Sequence, residues 1–317
     1  SVHNTQPWRF TADSGSQVTL HADPGRRLAA ADPDGRELMI SCGAALFNIR
    51  LALRSLDWIP QTRVLPDPSQ PTLIAQVSWQ ERAAPNEFER RLSSHVLTRR
   101  THRGAFDPEP LPPGTLAALR DAAAREGAAL RIVADDGRRA TLAAAVQTAE
   151  HQLRCDGEQL RELTSWTPAP GSVRYDGVPA TSYPARAERT QPYFPSRDFA
   201  RGRGWGMPPL SPAASHRAAG VAGLLTTTGD SPADWVHAGQ ALQRILLTAS
   251  VRGAAVALHS QPFELPWLRE FLRTQLSDGA CPHLVLRIGL VTQMAVSVRR
   301  DPGEVLFPAG GDRAAPG

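Results

Sequence analysis

Two stretches of this chain, about 196 positions apart, have closely matching helical patterns. Residues 34–53 and 231–249 align on Gly43 and Gly239. In that register Ala45 meets Ala241, Leu46 meets Leu242, Ile49 meets Ile245 and Leu51 meets Leu247. Each stretch opens with a capping residue followed three positions later by an acid: Asp34 with Glu37, and Ser231-Pro232 with Asp234. The pattern implies an internal duplication, in which one chain holds two copies of a unit that could otherwise pair with a second copy. A site would then lie between the copies. The bland alternative is two unrelated amphipathic core helices.

The rest of the chain can be read around these helices. Strands are expected at 17–21, 72–80, 128–134 and 282–291, the last continuously apolar as in a sheet centre. Helices are expected at about 35–57, 86–98, 116–126, 138–163, 232–252 and 265–276. A helix–helix–strand order recurs in both halves. Residues 166–216 break it: they are rich in Pro and Gly, lack periodicity, and hold all three tyrosines with Trp166, Phe194, Phe199 and Trp205. Disordered segments are poor in aromatics, so a lid packing onto the body is expected. The expected division is 1–85 for the first half, 86–165 with 217–317 for the second, and 166–216 for the lid.

Composition excludes several chemistries. There is no lysine, so all 35 basic residues are arginine, which rules out a Schiff-base or Walker lysine. The net charge of +4 is small and the arginines are interleaved with acids, so nucleic acid is not an expected partner. No apolar run reaches the roughly 18 residues that span a bilayer, and no membrane association is expected. The three cysteines are far apart and fit reduced thiols in a cytoplasmic protein. No His, Cys and carboxylate spacing indicates a metal. The chain begins at Ser1 rather than Met, and an upstream segment is expected.

Three clusters carry chemistry. Residues 1–8 combine Ser1, His3, Asn4, Thr5 and Gln6 with a Pro7-Trp8 stop, and alone would be a polar turn anchored by Trp8. Arg99, Arg100, Thr101 and Arg103 place three guanidiniums and a hydroxyl within about one helical turn, a set suited either to phosphate or to a solvated face. Ser297, Arg299 and Arg300 follow the last core strand and could reach the same anion.

Together these clusters resemble the nitroreductase family of flavin proteins, most closely its Acg-type actinobacterial branch. The resemblance rests on the Asn4-Thr5-Gln6-Pro7-Trp8 string, on Asp32-Pro33 followed by Arg36-Glu37-Leu38, and on Arg99-Arg100-Thr101 with Arg103, in that order. It implies an α+β, nitroreductase-like fold with two tandem half-units forming an intrachain pseudo-dimer, covered by the Pro- and aromatic-rich lid. It also implies one FMN per chain, held by Ser1, His3, Asn4 and Gln6 on one side. Arg99, Arg100, Thr101 and Arg103, joined by Arg299 and Arg300, would hold its phosphate and ribityl, and the segment Leu258-His259-Ser260-Gln261, with Ser260 as the contact, would lie near the isoalloxazine edge. The mirror-image site is expected to be degenerate, with Trp166 and its prolines standing where a second Asn-Thr-Gln-Pro-Trp string would be. The implied activity is hydride transfer from NAD(P)H through the flavin to a nitroaromatic, quinone or similar acceptor, with no catalytic side chain required. The implied assembly is a monomeric pseudo-dimer or a weak homodimer. Two rivals remain open: a flavin-sequestering protein whose lid blocks turnover, and an arginine-rich interaction module without cofactor.

Overall fold

The computed structural model describes residues 1–13, 15–186, 188–208, 218–292 and 296–308. In chain order, β1 (Trp8–Ala12) and β2 (Gln17–Ala22) precede the long helix α1 (Arg36–Ser55). The strands β3 (Trp58–Val64) and β4 (Leu73–Arg82) complete a first unit. α2 (Glu87–His95) and α3 (Thr115–Ala124) then lead to β5 (Ala129–Ile132), α4 (Asp136–Cys155) and α5 (Gly157–Ser165). β6 (Val221–Thr227), α6 (Pro232–Val251), β7 (Ala255–His259), α7 (Pro266–Leu276) and β8 (Cys281–Gly289) form the second unit, and β9 (Leu306–Pro308) is the last element among the described residues.

The two units repeat each other strand for strand. The first sheet has the order β3-β4-β2-β1-β9 and the second β7-β8-β6-β5, so removing β9 leaves one order shared by both. Every pairing in that shared order is antiparallel, and both β2–β4 and β6–β8 carry a register shift. The helices α1 and α6 cross where the sequence alignment places Gly43 opposite Gly239. A Cβ on Gly43 would lie 2.1 Å from the Val236 carbonyl oxygen, and one on Gly239 would lie 2.0 Å from that of Ile40. Val236 and Ile40 are themselves alignment partners, so the contact is reciprocal, as a two-fold relation requires. α1 has the length and hydropathy of a membrane-crossing helix, with 20 residues and a mean hydropathy of 1.2. Its apolar face is instead spent on α6 and the first sheet, where Leu38, Cys42, Ala45, Leu46 and Leu53 are buried.

Several expectations need correction. The N-cap of α1 is Gly35, at φ 74°, rather than Asp34, and the first-turn amides of Glu37 and Leu38 are met instead by the Asp32 carboxylate, which accepts from them at 3.0 and 2.8 Å. The Ser231–Asp234 capping box of α6 is present. The helix expected over 138–163 is two helices, broken where Asp156 leaves helical geometry to accept from the Glu158 and Gln159 amides. Strands β1, β3, β6, β7 and β9 are additional to those expected. β3 carries Pro60, which an edge strand tolerates, and β3 is an edge. β9 pairs in parallel with β1, so the last strand of the 217–317 segment belongs to the first sheet.

The 166–216 segment, within its described residues 166–186 and 188–208, is tied down by side chains. Tyr183 and Phe199 are buried with Leu163 and Val178 in a small core of their own, and Phe194 enters the core beneath α4 and α7. Residues 209–216 of the expected lid lie outside the described residues.

Candidate functional site

A cavity of about 1050 Å³, part of it open to solvent, lies between the two units. Its apolar side is made by Ile40 and Ala44 of α1 and Leu242 and Leu246 of α6, with Leu284 of β8. One wall is therefore the helix crossing itself. Ser1, Val2 and His3 approach from the N-terminus, Arg99, Thr101 and Arg103 from the segment after α2, and Ser260 and Gln261 from the end of β7.

Local geometry explains how these pieces are held. His3, Asn4 and Gln6 have φ of 49, 55 and 50°, a left-handed backbone that non-glycine residues seldom adopt. Hydrogen bonds over-determine it. The Asn4 amide donates to the carbonyls of Gly177 at 3.0 Å and Val298 at 3.2 Å, and the Gln6 amide donates to that of Tyr175 at 2.8 Å. Arg300 closes the knot, its backbone N–H donating to Gln6 Oε1 at 3.0 Å and its guanidinium to the Gln6 carbonyl. The arginine segment is pinned against β7, the edge of the second sheet, by the His102 N–H donating to the Val256 carbonyl at 2.9 Å. Ser196 donates to the Arg103 carbonyl at 2.6 Å, and Phe199 stands against both the Arg103 guanidinium and the His3 ring.

Electrostatics mark the cavity as cationic and under-compensated. Among the described residues, Arg99, Arg103 and Arg299 have no carboxylate partner. Burial, then Arg299 and the neighbouring arginines, presses the Arg99 guanidinium down to about 9; burial and Arg299 press Arg103 down to about 10. The Arg99 Nε is buried without a hydrogen-bond partner. Cations this close are held together against their repulsion, and a bound anion would relieve it. Burial also holds His3, His259 and His283 neutral, with His283 brought to about 3. The Glu37 carboxyl is pushed well above its usual range by burial and by Glu264 beside it, and neither of its oxygens has a hydrogen-bond partner.

The structure sorts the residues singled out from sequence. Ser1, His3, Arg99, Thr101, Arg103 and Ser260 are on the cavity wall. Asn4, Gln6, Arg100, Arg299 and Arg300 stand behind it. Asn4 and Gln6 spend their amides on the backbone, and Arg100 donates to the carbonyls of Leu97 and Arg99. Arg299 donates to Asn4 Oδ1 and adds its charge to the cluster, while Arg300 holds Gln6 and Glu304. Sequence reasoning missed Glu37, Arg197, Gln243, His283 and Arg287, all of which line the cavity, while the whole expected segment 258–261 lies on its wall. For Gln243, His283 and Arg287 the signal was a polar or charged residue inside an apolar strand or helix, as with Arg287 in Leu284–Gly289; Arg197, in a loop, gave none. Arg287 is 1% exposed, donates to His259 Nε2 at 2.9 Å, and lies over the Phe106 and Phe194 rings. Arg197 pairs with Glu264, whose carboxylate also accepts from Ser260 at 2.8 Å.

No protein-family model matches the chain. It is 38% identical over 291 residues to a Mycobacterium tuberculosis protein provisionally named an NAD(P)H nitroreductase, covering 91% of this chain and 81% of the relative. A second M. tuberculosis protein, provisionally named NAD(P)H nitroreductase Acg, is 29% identical over 299 residues, covering 93% and 86%. Among solved structures, the FMN-dependent nitroreductase NfnB of Mycobacterium smegmatis in complex with NADPH matches 67% of this chain and 95% of its own at 16% identity and a TM-score of 0.40. A Desulfovibrio desulfuricans protein described as a nitroreductase in complex with FMN matches 68% and 95% at 14% identity and a TM-score of 0.39. Likenesses that remote assign nothing to this chain; the sequence relatives do. With more than a third of its residues identical across four-fifths of a named relative, the chain belongs to the NAD(P)H nitroreductase family.

Proposed function

We propose that this chain is an FMN-dependent oxidoreductase that takes hydride from NAD(P)H and passes electrons to a nitroaromatic, quinone or similar acceptor. The observation that carries the reading is the pair of half-buried guanidiniums on the cavity wall, Arg99 and Arg103, with the more exposed Arg299 acting on both, none of them with a carboxylate partner among the described residues. A phosphate group matches that charge, and Thr101 adds a hydroxyl beside it. The remaining wall fits a flat polar heterocycle. It pairs the apolar α1–α6 crossing with buried polar atoms short of hydrogen bonds, namely the Glu37 carboxyl, whose nearest cation is Arg36 at 3.6 Å, and His283 Nδ1. Buried polar atoms rarely stay unpaired, so these call for a polar ligand or water.

The flavin, when bound, supplies the hydride chemistry; the protein's task is binding, orientation and electrostatics. Arg99 and Arg103 would hold the phosphate, with Arg299 adding its charge from behind the wall and Arg100 and Arg300 keeping the surrounding backbone in place. Arg287 and Arg197 also line the cavity, where positive charge would favour an anionic reduced ring. His259 and His283, kept neutral by burial, offer hydrogen bonds without adding charge. Ser260 is held by Glu264 beside them.

The test is a visible spectrum of the purified protein, then anaerobic addition of NADPH and of NADH. Flavin absorbance that bleaches within seconds is expected. Protein that stays colourless after reconstitution with FMN would overturn the reading. A second reading, flavin sequestration with little turnover, is favoured by Ser196, Arg197 and Phe199, through which the 166–208 segment completes the cavity wall. Bound flavin that stays oxidised, and becomes reducible in Phe199→Ala, would establish that alternative.

A further inference from the structure

The duplication relates the cavity to a second position on the other side of the α1–α6 crossing. Under the alignment of Gly43 with Gly239, the cavity residues Ser41, Ala44, Gln243 and Leu246 map to His237, Gln240, Phe47 and Arg50. That mirror position is filled. The turn between α3 and β5 enters it, with Gly127 at φ 78° beside the His237 ring. Glu126 is 7% exposed and lies between two guanidiniums: Arg50 Nη1 is 2.6 Å from Oε2 and Arg244 Nη1 is 2.8 Å from Oε1. Arg50 also donates to Gln240 Oε1 at 2.6 Å, and both guanidiniums lie over the Phe47 ring. Residues 125–127 directly precede β5, as the Ser1–Gln6 motif directly precedes β1, and β1 and β5 hold the same place in their sheets. The mirror of the N-terminal motif is thus this turn rather than the Trp166 segment.

We propose that this mate is a closed site liganded by the protein itself, the Glu126 carboxylate taking the place of an external anion between Arg50 and Arg244. The sequence difference accounts for the asymmetry. The open side has Ala44 and Leu246, which leave space; the closed side has Gln240 and Arg50, which fill it and fix Glu126. Two cations would be left without their partner if the carboxylate were removed, and the vacated space is that of a small carboxylate. The inferred ligand class is a small carboxylate anion, bound only when Glu126 is absent. The related expectation of a single flavin per chain rests on the function proposed above; the anion test does not.

The experiment is thermal denaturation of the wild type, Glu126→Ala and Glu126→Ala/Arg244→Ala in sodium formate against sodium chloride of equal ionic strength. Glu126→Ala is expected to melt lower than the wild type, and formate is expected to restore part of that loss. The same formate increment should be absent from the wild type and from the double variant. Arg99, Arg103 and Arg299 are intact in all three, so anion binding at the open cavity cancels. An equal response of Glu126→Ala and wild type to formate would overturn the proposal. Should Glu126→Ala not fold, Glu126→Gln keeps the volume and removes the charge. It should then show a greater chloride dependence than the wild type, and an unchanged dependence overturns the proposal. A colourless wild type would sink the flavin reading and leave this comparison intact.

Discussion

Arginine carries most of the argument for a ligand because no lysine competes for the role. A guanidinium held partly out of water without a carboxylate partner is costly, and Arg99 and Arg103 share one cavity wall in that state. Arg103→Ala is expected to weaken FMN binding at least tenfold, roughly 1.4 kcal/mol, by removing a charge-assisted contact; a flavin titration reads it, and an unchanged Kd would remove Arg103 from the site. His283 gives a pH prediction. It stays neutral in the fold down to about 3, whereas an imidazole in the unfolded chain protonates near 6.5. The unfolded state therefore binds more protons between those values, and stability falls as pH drops from about 6.5 toward 3. Urea midpoints at pH 7, 6 and 5 should show a shallower fall for His283→Asn, and an identical fall would remove His283 as a source. The Arg99–Arg103 cluster and the Ser1–Trp8 motif were legible because they are contiguous strings. Glu37, His283 and Arg287 were not, because what distinguishes them is burial against residues far away in the chain.

Between the elements, the close crossing of α1 and α6 shows what the matched glycines do. Gly to Ala in a helix ordinarily gains about 1 kcal/mol of propensity. Here a Cβ would lie 2.1 Å from a backbone oxygen that cannot move without shifting a helix. Gly43→Ala is therefore expected to destabilise by at least the ~1–3 kcal/mol of an overpacked core, read as a lower denaturant midpoint at an unchanged slope. A neutral or stabilising result would mean that the helices can separate at no cost. The long helices were legible from period and caps. The short strands β6 and β7 were not, since brief apolar runs read equally as buried helix. β9 was missed for another reason: three residues acquire strand geometry only by pairing with β1.

In the whole molecule, fusion places both walls of the cavity in one chain. A site shared between separate subunits loses ligand on dilution, because its walls part. Here the halves are covalently joined, so each sees the other at an effective concentration set by the linker. Flavin affinity is accordingly expected to be independent of protein concentration, measured by fluorescence titration from micromolar to low nanomolar protein. An affinity that weakens with dilution would show that a second chain completes the site. The same reasoning expects a flavin-to-chain ratio of one from absorbance, since Glu126 occupies the mirror position. A ratio of two would contradict the closed mate.

Sequence alone was enough for the duplication, the principal helices, the motif strings and the family resemblance, because periodicity and contiguous side-chain chemistry are local properties. Which copy keeps an open cavity was decided only in three dimensions. Ala44 and Leu246 against Gln240 and Arg50 are unremarkable substitutions along the chain. They become a cavity on one side and a filled ion-pair cluster on the other only when the helix crossing brings each pair together.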